Sequence, residues 1–197
     1  YPLVVGVLHG VRATAENVVE AGLVARLAQS LRDRLRNAHG ELFDESAEGD
    51  KQFWEHGLFV VSPHHAQINA IRSALRSKRE WLSDPVVDTV DKMQGQECDT
   101  VIVSYGVSDV EYAMSEKDFI YSLNRLNVAI TRAKAKTIVF LPKPLIEPPI
   151  QVYEDEFTSA GVAFMQGLSH FADRKGDTRS FGLDAGTSMS ISRVACV

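Results

Sequence analysis

The apolar positions fall into short continuous runs separated by longer segments with a helical period. Leu3 to Leu8 (LVVGVL) is apolar throughout and rich in valine, the pattern of a strand buried on both faces. In Asn17 to Leu35 the positions Val19, Leu23, Leu27, Leu31 and Leu35 form one stripe, which predicts a helix. Arg26, Arg32, Arg34 and Arg36 fall largely off that stripe and read as a solvated face. Residues 37–56 are polar, acidic and without period, so a flexible surface insertion is expected there. Gly57 to Pro63 (GLFVVSP) predicts a second buried strand ended by proline. Ala66 to Arg76 predicts a helix with Ile68, Ile71 and Leu75 on one side. Val86 to Val90 and Thr100 to Gly106 predict two further strands. Asn124 to Pro142 (NRLNVAITRAKAKTIVFLP) starts as an amphipathic helix and turns into a strand.

Strands alternating with helices through Leu141 imply a parallel sheet with helices on both faces and right-handed crossovers. The expected fold class is α/β, a three-layer arrangement over residues 1–150. Residues 151–174 are expected to be a helical extension, and 175–197, rich in Gly, Ser and Thr, a flexible tail.

The 197 residues are 45% hydrophobic and 24% charged, ordinary for a chain that builds its core without disulfides. A formal net charge of -5 argues against a generally basic nucleic-acid binder but leaves room for a local basic groove. Cys98 and Cys196 form no CxxC and read as reduced thiols, and the six histidines lack metal-ligand spacing. No apolar run is long enough to span a bilayer, no signal peptide opens the chain, and a cytoplasmic (or nuclear) setting with no membrane partner is expected. The chain opens without Met directly on a strand-like run, as a piece of something larger would.

In an open parallel sheet, ligands collect at the carboxyl ends of the strands, and the polar stretches are expected there. Val90 to Glu97 (VDKMQGQE) places Gln94, Gln96 and Glu97 around Gly95, which permits a tight bend or a close backbone approach. On the helix of Asn124 to Pro142, Leu126, Ala129, Ile130 and Ala133 share an apolar face, whereas Arg125 and Arg132 share another. Basic residues near a helix C-terminus suit its dipole, and a planar guanidinium at a sheet rim also suits phosphate. Physics alone leaves both readings open.

Taken together, these stretches resemble helicase motifs. TVDKMQGQECDTVIVS, Thr89 to Ser104, resembles motif V, and NRLNVAITRAKAKTIVF, Asn124 to Phe140, resembles motif VI of superfamily 1B helicases. GLFVVSPHHAQINAIRSAL, Gly57 to Leu75, fits motif IV more loosely, and the opening strand and helix resemble the start of the second RecA-like domain of that family. The likeness covers about residues 1–142 and implies a RecA-like fold. It also implies an ATP-dependent motor that translocates on single-stranded DNA or RNA and unwinds duplexes. Arg132 then matches the arginine finger, which would stabilise charge on phosphate bound by a first RecA-like domain; such fingers contribute on the order of 10³-fold in rate. Gly95, Gln96 and Glu97 match the nucleotide-side loop. Arg125 matches a second basic position, either a phosphate contact or an ion-paired helix anchor. Thr89 and Asp91 in motif V, and Ser62, Pro63 and His64 in motif IV, match positions beside the strand path, with His64 read either as an exposed loop histidine or as a residue that stacks on a base. An aromatic residue is frequent in the family where His64 stands, and some members carry an arginine where Ile68 stands. The chain contains no GxxxxGK[ST] loop, so ATP, its Mg²⁺ ligands and the partner N-terminal RecA-like domain would have to lie elsewhere, and the segment alone is expected to be inactive. Two other readings stay open: a scaffold module that binds nucleic acid or protein without ATPase activity, and an unrelated doubly wound enzyme.

Overall fold

The computed structural model describes residues 1–93 and 95–195; Gln94 and Cys196, named above, lie outside them. The chain builds a seven-stranded sheet in the order β3-β2-β4-β5-β1-β7-β6. The strands are β1 (Leu3–His9), β2 (Leu58–Val61), β3 (Val87–Asp88), β4 (Cys98–Ser104), β5 (Ala133–Pro142), β6 (Gly176–Asp184) and β7 (Thr187–Val194). The first five run parallel, with Leu58 opposite Thr100, Val101 opposite Thr137 and Val4 opposite Ile138. This mostly parallel three-layer sheet is the RecA-like arrangement.

Period-two alternation sends the side chains to two cores. Leu58, Val60, Ile102, Ile138 and Phe140 pack under α1 (Val18–Arg32) and α3 (His65–Lys78). Phe59, Val61, Val101, Val103, Val139 and Leu141 pack on the other face. That face is covered by α4 (Val110–Ser115), α5 (Lys117–Ile120), α6 (Leu123–Thr131), α7 (Lys143–Ile146) and α8 (Glu156–Lys175). The runs that fill both cores, Leu58–Val61, 101–103 and 138–141, are therefore apolar at every position, as their valines and isoleucines predict.

Three expectations are corrected. The first concerns α1, whose buried face is Ala21, Val24, Ala25 and Ala28, with the leucines flanking it half-buried. A spacing of four residues advances about 400° around a helix, so a stripe built on it drifts off the core. Arg32 continues the true buried face and is only 1% exposed; it is not solvated.

The second correction concerns residues 37–56, which are not a flexible insertion. They hold α2 (Ala47–Gln52) and a π-helical turn, Phe53–Gly57, and bury Phe53 and Trp54 against Trp81, with Phe43 buried on Phe53. Arg32 Nε meets Asp50 Oδ1 at 2.9 Å, and Arg32 Nη1 donates to the Phe43 carbonyl at 2.9 Å. Asp50 also accepts from Leu82 N at 2.9 Å. A buried guanidinium thus organises a segment whose polar composition hides its few large anchors.

The third correction concerns the tail. Residues 176–194 form the β6–β7 hairpin, and β7 adds antiparallel to β1, from Leu3 opposite Val194 to His9 opposite Ser188. Met189 and Ile191 alternate with serines, a period-two strand signal masked by the small-residue composition.

Candidate nucleotide and nucleic-acid edges

The sheet separates the candidate residues into two groups on opposite edges. The expectation that all lie at the carboxyl ends is corrected by the strand register. Gly95, Gln96 and Glu97 precede β4, and Arg132 directly precedes β5, with Cys98 opposite Ala133. Both therefore sit at the amino edge. Ser62, Pro63 and His64 follow β2, and Thr89 and Asp91 follow β3, at the carboxyl edge. Thr89 and Asp91 on one side of Gln94 and residues 95–97 on the other thus lie at different edges, and α6 runs alongside the turn Val90–Met93. Arg125 and Arg132 are seven residues apart on that helix path, about 10 Å along its axis.

At the amino edge, Arg132 is the C-terminal cap residue of α6, and its carbonyl accepts from Cys98 N at 3.1 Å. That bond ties the end of α6 to the start of β4. Arg132 is half-buried, and its Nε is buried without a hydrogen-bond partner; among the described residues it forms no ion pair. Glu97 lies beside it in register, with Lys134 Nζ at 3.9 Å from Glu97 Oε2 and both side chains more than half exposed. Gly95 has φ +83°, a left-handed conformation that excludes most side chains, and an added Cβ would meet open space. The need for glycine here is conformational, and the loop surface beside it is free. Gln96 and Glu97 also border a groove of about 420 Å³ lined by Trp54, Glu55, His56 and Phe59. Sequence reasoning missed this wall because it lies in the segment read as an insertion; the WEH triplet was the only signal.

At the carboxyl edge, Ser62, Pro63, Thr89, Asp91 and Arg125 line one narrow cleft of about 30 Å³ with Tyr105 and Phe119. Arg125, expected on the nucleotide side, is here instead. Its Nε meets Asp91 Oδ2 at 3.2 Å, its Nη1 donates to the Asp118 carbonyl at 2.8 Å, and its guanidinium lies 4.0 Å over the Phe119 ring. Of the two alternatives, the ion-paired helix anchor describes this geometry. His64 is buried rather than exposed, at 7%, because Tyr112 of α4 covers it with ring centroids 5.4 Å apart. Among the described residues its Nε2 has no partner, and burial holds its pKa below the usual histidine range, so the ring is neutral at pH 7. Among the described residues, no three His, Cys, Asp or Glu side chains converge as a metal site would require.

Beneath the carboxyl edge lies a polar cluster that the hydrophobic pattern gave no reason to single out: Asn17, Glu20, Gln67 and Ser104, all buried. Glu20 accepts from Ser104 Oγ at 2.6 Å and from Gly106 N at 3.1 Å. Desolvation outweighs these donors and pushes its pKa up to about 7.

Comparison with known proteins agrees with this architecture. The AAA_12 family model, an AAA domain, matches residues 9–142. The DNA polymerase alpha-associated DNA helicase A of Saccharomyces cerevisiae is 33% identical over 85 residues, 43% of this chain and 12% of that protein. An uncharacterized ATP-dependent helicase of Methanocaldococcus jannaschii is 38% identical over 80 residues, 41% of this chain and 11% of that protein. The DNA replication ATP-dependent helicase/nuclease of Xenopus tropicalis is 35% identical over 80 residues, 41% of this chain and 7% of that protein. The chain thus spans a small fraction of the length of the relatives it matches. With the family model covering both candidate edges, the chain belongs to the AAA_12 family and is a superfamily 1 helicase C-terminal domain of RecA-like fold.

Proposed function

We propose that this chain is the second motor domain of an ATP-dependent superfamily 1B helicase, acting with a first RecA-like domain of the same protein. That domain would bind ATP and its divalent cation, Mg²⁺ in this reading. Single-stranded DNA or RNA would run along the carboxyl edge, past Ser62, Pro63, His64 and Thr89. The nucleotide would face the amino edge, where Glu97, Gln96 and the Gly95 bend form one wall.

The observation that carries the reading is the state of Arg132. Its guanidinium has an unsatisfied Nε and no carboxylate partner among the described residues, and it stands at the rim next to Glu97. A side chain that only anchored the helix would be expected to behave as Arg125 does, ion-paired and stacked. A rigid, always-charged fork at a sheet rim, half-buried and with its Nε unsatisfied, suits charge that builds on a transferring phosphoryl group. Because α6 joins the two edges, a shift at Arg132 would reach Arg125 and its partner Asp91 through a single helix. This is a physical route for coupling nucleotide state to the grip on the strand.

The test is Arg132→Ala in the full-length protein. Steady-state ATP turnover should fall on the order of 10³-fold, with ATP affinity changed little. Turnover near that of the parent would refute the assignment.

A further inference from the structure

We propose that Glu20 is a positioning residue for the nucleic-acid edge: its buried carboxylate holds the loops after β1, β2 and β4 in one fixed arrangement. The inference rests on the strand-binding reading above. Glu20 lies in the first turn of α1 and is fully buried. Oε1 accepts from the Ser104 hydroxyl at 2.6 Å and the Gly106 N–H at 3.1 Å, and Oε2 accepts from Asn17 Nδ2 at 3.3 Å. The Ser104 hydroxyl in turn accepts from Gln67 Nε2 at 3.0 Å, and Gln67 Oε1 accepts from Asn17 N at 2.7 Å. Asn17 ends the β1–α1 loop, Gln67 belongs to the first turn of α3, and Ser104 and Gly106 bound the exit of β4. One carboxylate thus connects three chain segments that are far apart in sequence.

Two contacts extend this hub toward the surface. Gly106 has φ +71°, and a Cβ there would lie 2.5 Å from Gln67 Cδ, so the β4 exit rests directly on the Gln67 side chain. Two residues on, Ser108 N donates to the Ala13 carbonyl at 2.8 Å, and its hydroxyl accepts from Ala13 N at 2.7 Å, which closes the β1 loop onto the β4 loop. Gln67 stands three residues beyond His64, so the cluster sets where Ser62, Pro63 and His64 point. Every group aimed at the carboxylate is a donor, and among the described residues no cation faces it. Burying such a group is costly, and an apolar side chain would fill the space at lower cost. A carboxylate supplies what an apolar side chain lacks: several acceptor directions shared among three loops.

Glu20→Gln keeps the volume, but its NH₂ group must face either Asn17 Nδ2 or the Ser104 and Gly106 donors, so at least one donor loses its acceptor. In the full-length protein, affinity for labelled oligo(dT) or oligo(U) should fall about tenfold. Nucleotide affinity, read at the opposite edge of the sheet, should stay within about twofold. Ser104→Ala, which removes one donor, should act in the same direction by about threefold, and it decides the matter if Glu20→Gln does not fold. Undiminished strand binding in the folded variants would overturn the proposal. So would a parallel loss of strand and nucleotide affinity, the mark of general destabilisation. A parent protein that binds no oligonucleotide would sink the strand-binding reading itself, and this inference with it.

Discussion

Two buried carboxylates illustrate opposite solutions at the scale of single residues. Asp50 is met by the Arg32 guanidinium at 2.9 Å, with both side chains essentially unexposed. Removing one partner leaves the other charge buried and uncompensated, so Asp50→Ala should cost about 3–5 kcal/mol, read as a lowered midpoint in urea. Glu20 has only neutral donors, and burial raises its pKa from 4.5 to about 7. The sign follows directly: the folded state holds this proton more tightly than the unfolded chain. Its contribution to stability is therefore most favourable below pH 4.5 and declines as pH rises toward 7. Each pKa unit is worth about 1.4 kcal/mol, so the decline is at most about 3.5 kcal/mol. Chemical denaturation of the parent and of Glu20→Gln between pH 5 and 8 should show this slope in the parent only.

At the scale of elements, the last hairpin covers what would otherwise be a bare strand. β1 pairs with β5 on one side and with β7 on the other along its whole length. Truncation after Lys175 would leave the β1 backbone donors and acceptors unpaired at an edge, a template for aggregation. Such a truncation should melt about 10 °C or more below the parent, since a few kcal/mol shifts a domain of this size by that much. It should also aggregate on concentration, seen by light scattering. α6 matters for a different reason. Its Leu126 and Ala129 face is buried on the sheet while its two arginines reach opposite edges, Arg125 ion-paired and Arg132 without an ion pair among the described residues.

At the scale of the whole molecule, a net charge of -5 means that any grip on nucleic acid must come from a local arrangement. Strand affinity should fall steeply with salt, each phosphate contact adding about -0.7 to the log–log slope for single strands. A salt-insensitive affinity would point away from a phosphate-tracking edge.

The strand and helix order through Pro142 was legible in the sequence because buried parallel strands are apolar at every position and the helices between them keep their period. The likeness of the stretches around Gly95 and Arg132 was equally legible, since it resides in local wording. The tertiary structure decided the rest. Residue type does not reveal which sheet edge a loop reaches; only the register of β4 against β5 puts Glu97 and Arg132 on one edge and Arg125 with Asp91 on the other. Nor could the chain alone show that Arg32 meets Asp50, that Tyr112 covers His64, or that Glu20 joins three distant loops, because each partner is brought in by packing rather than by proximity along the chain.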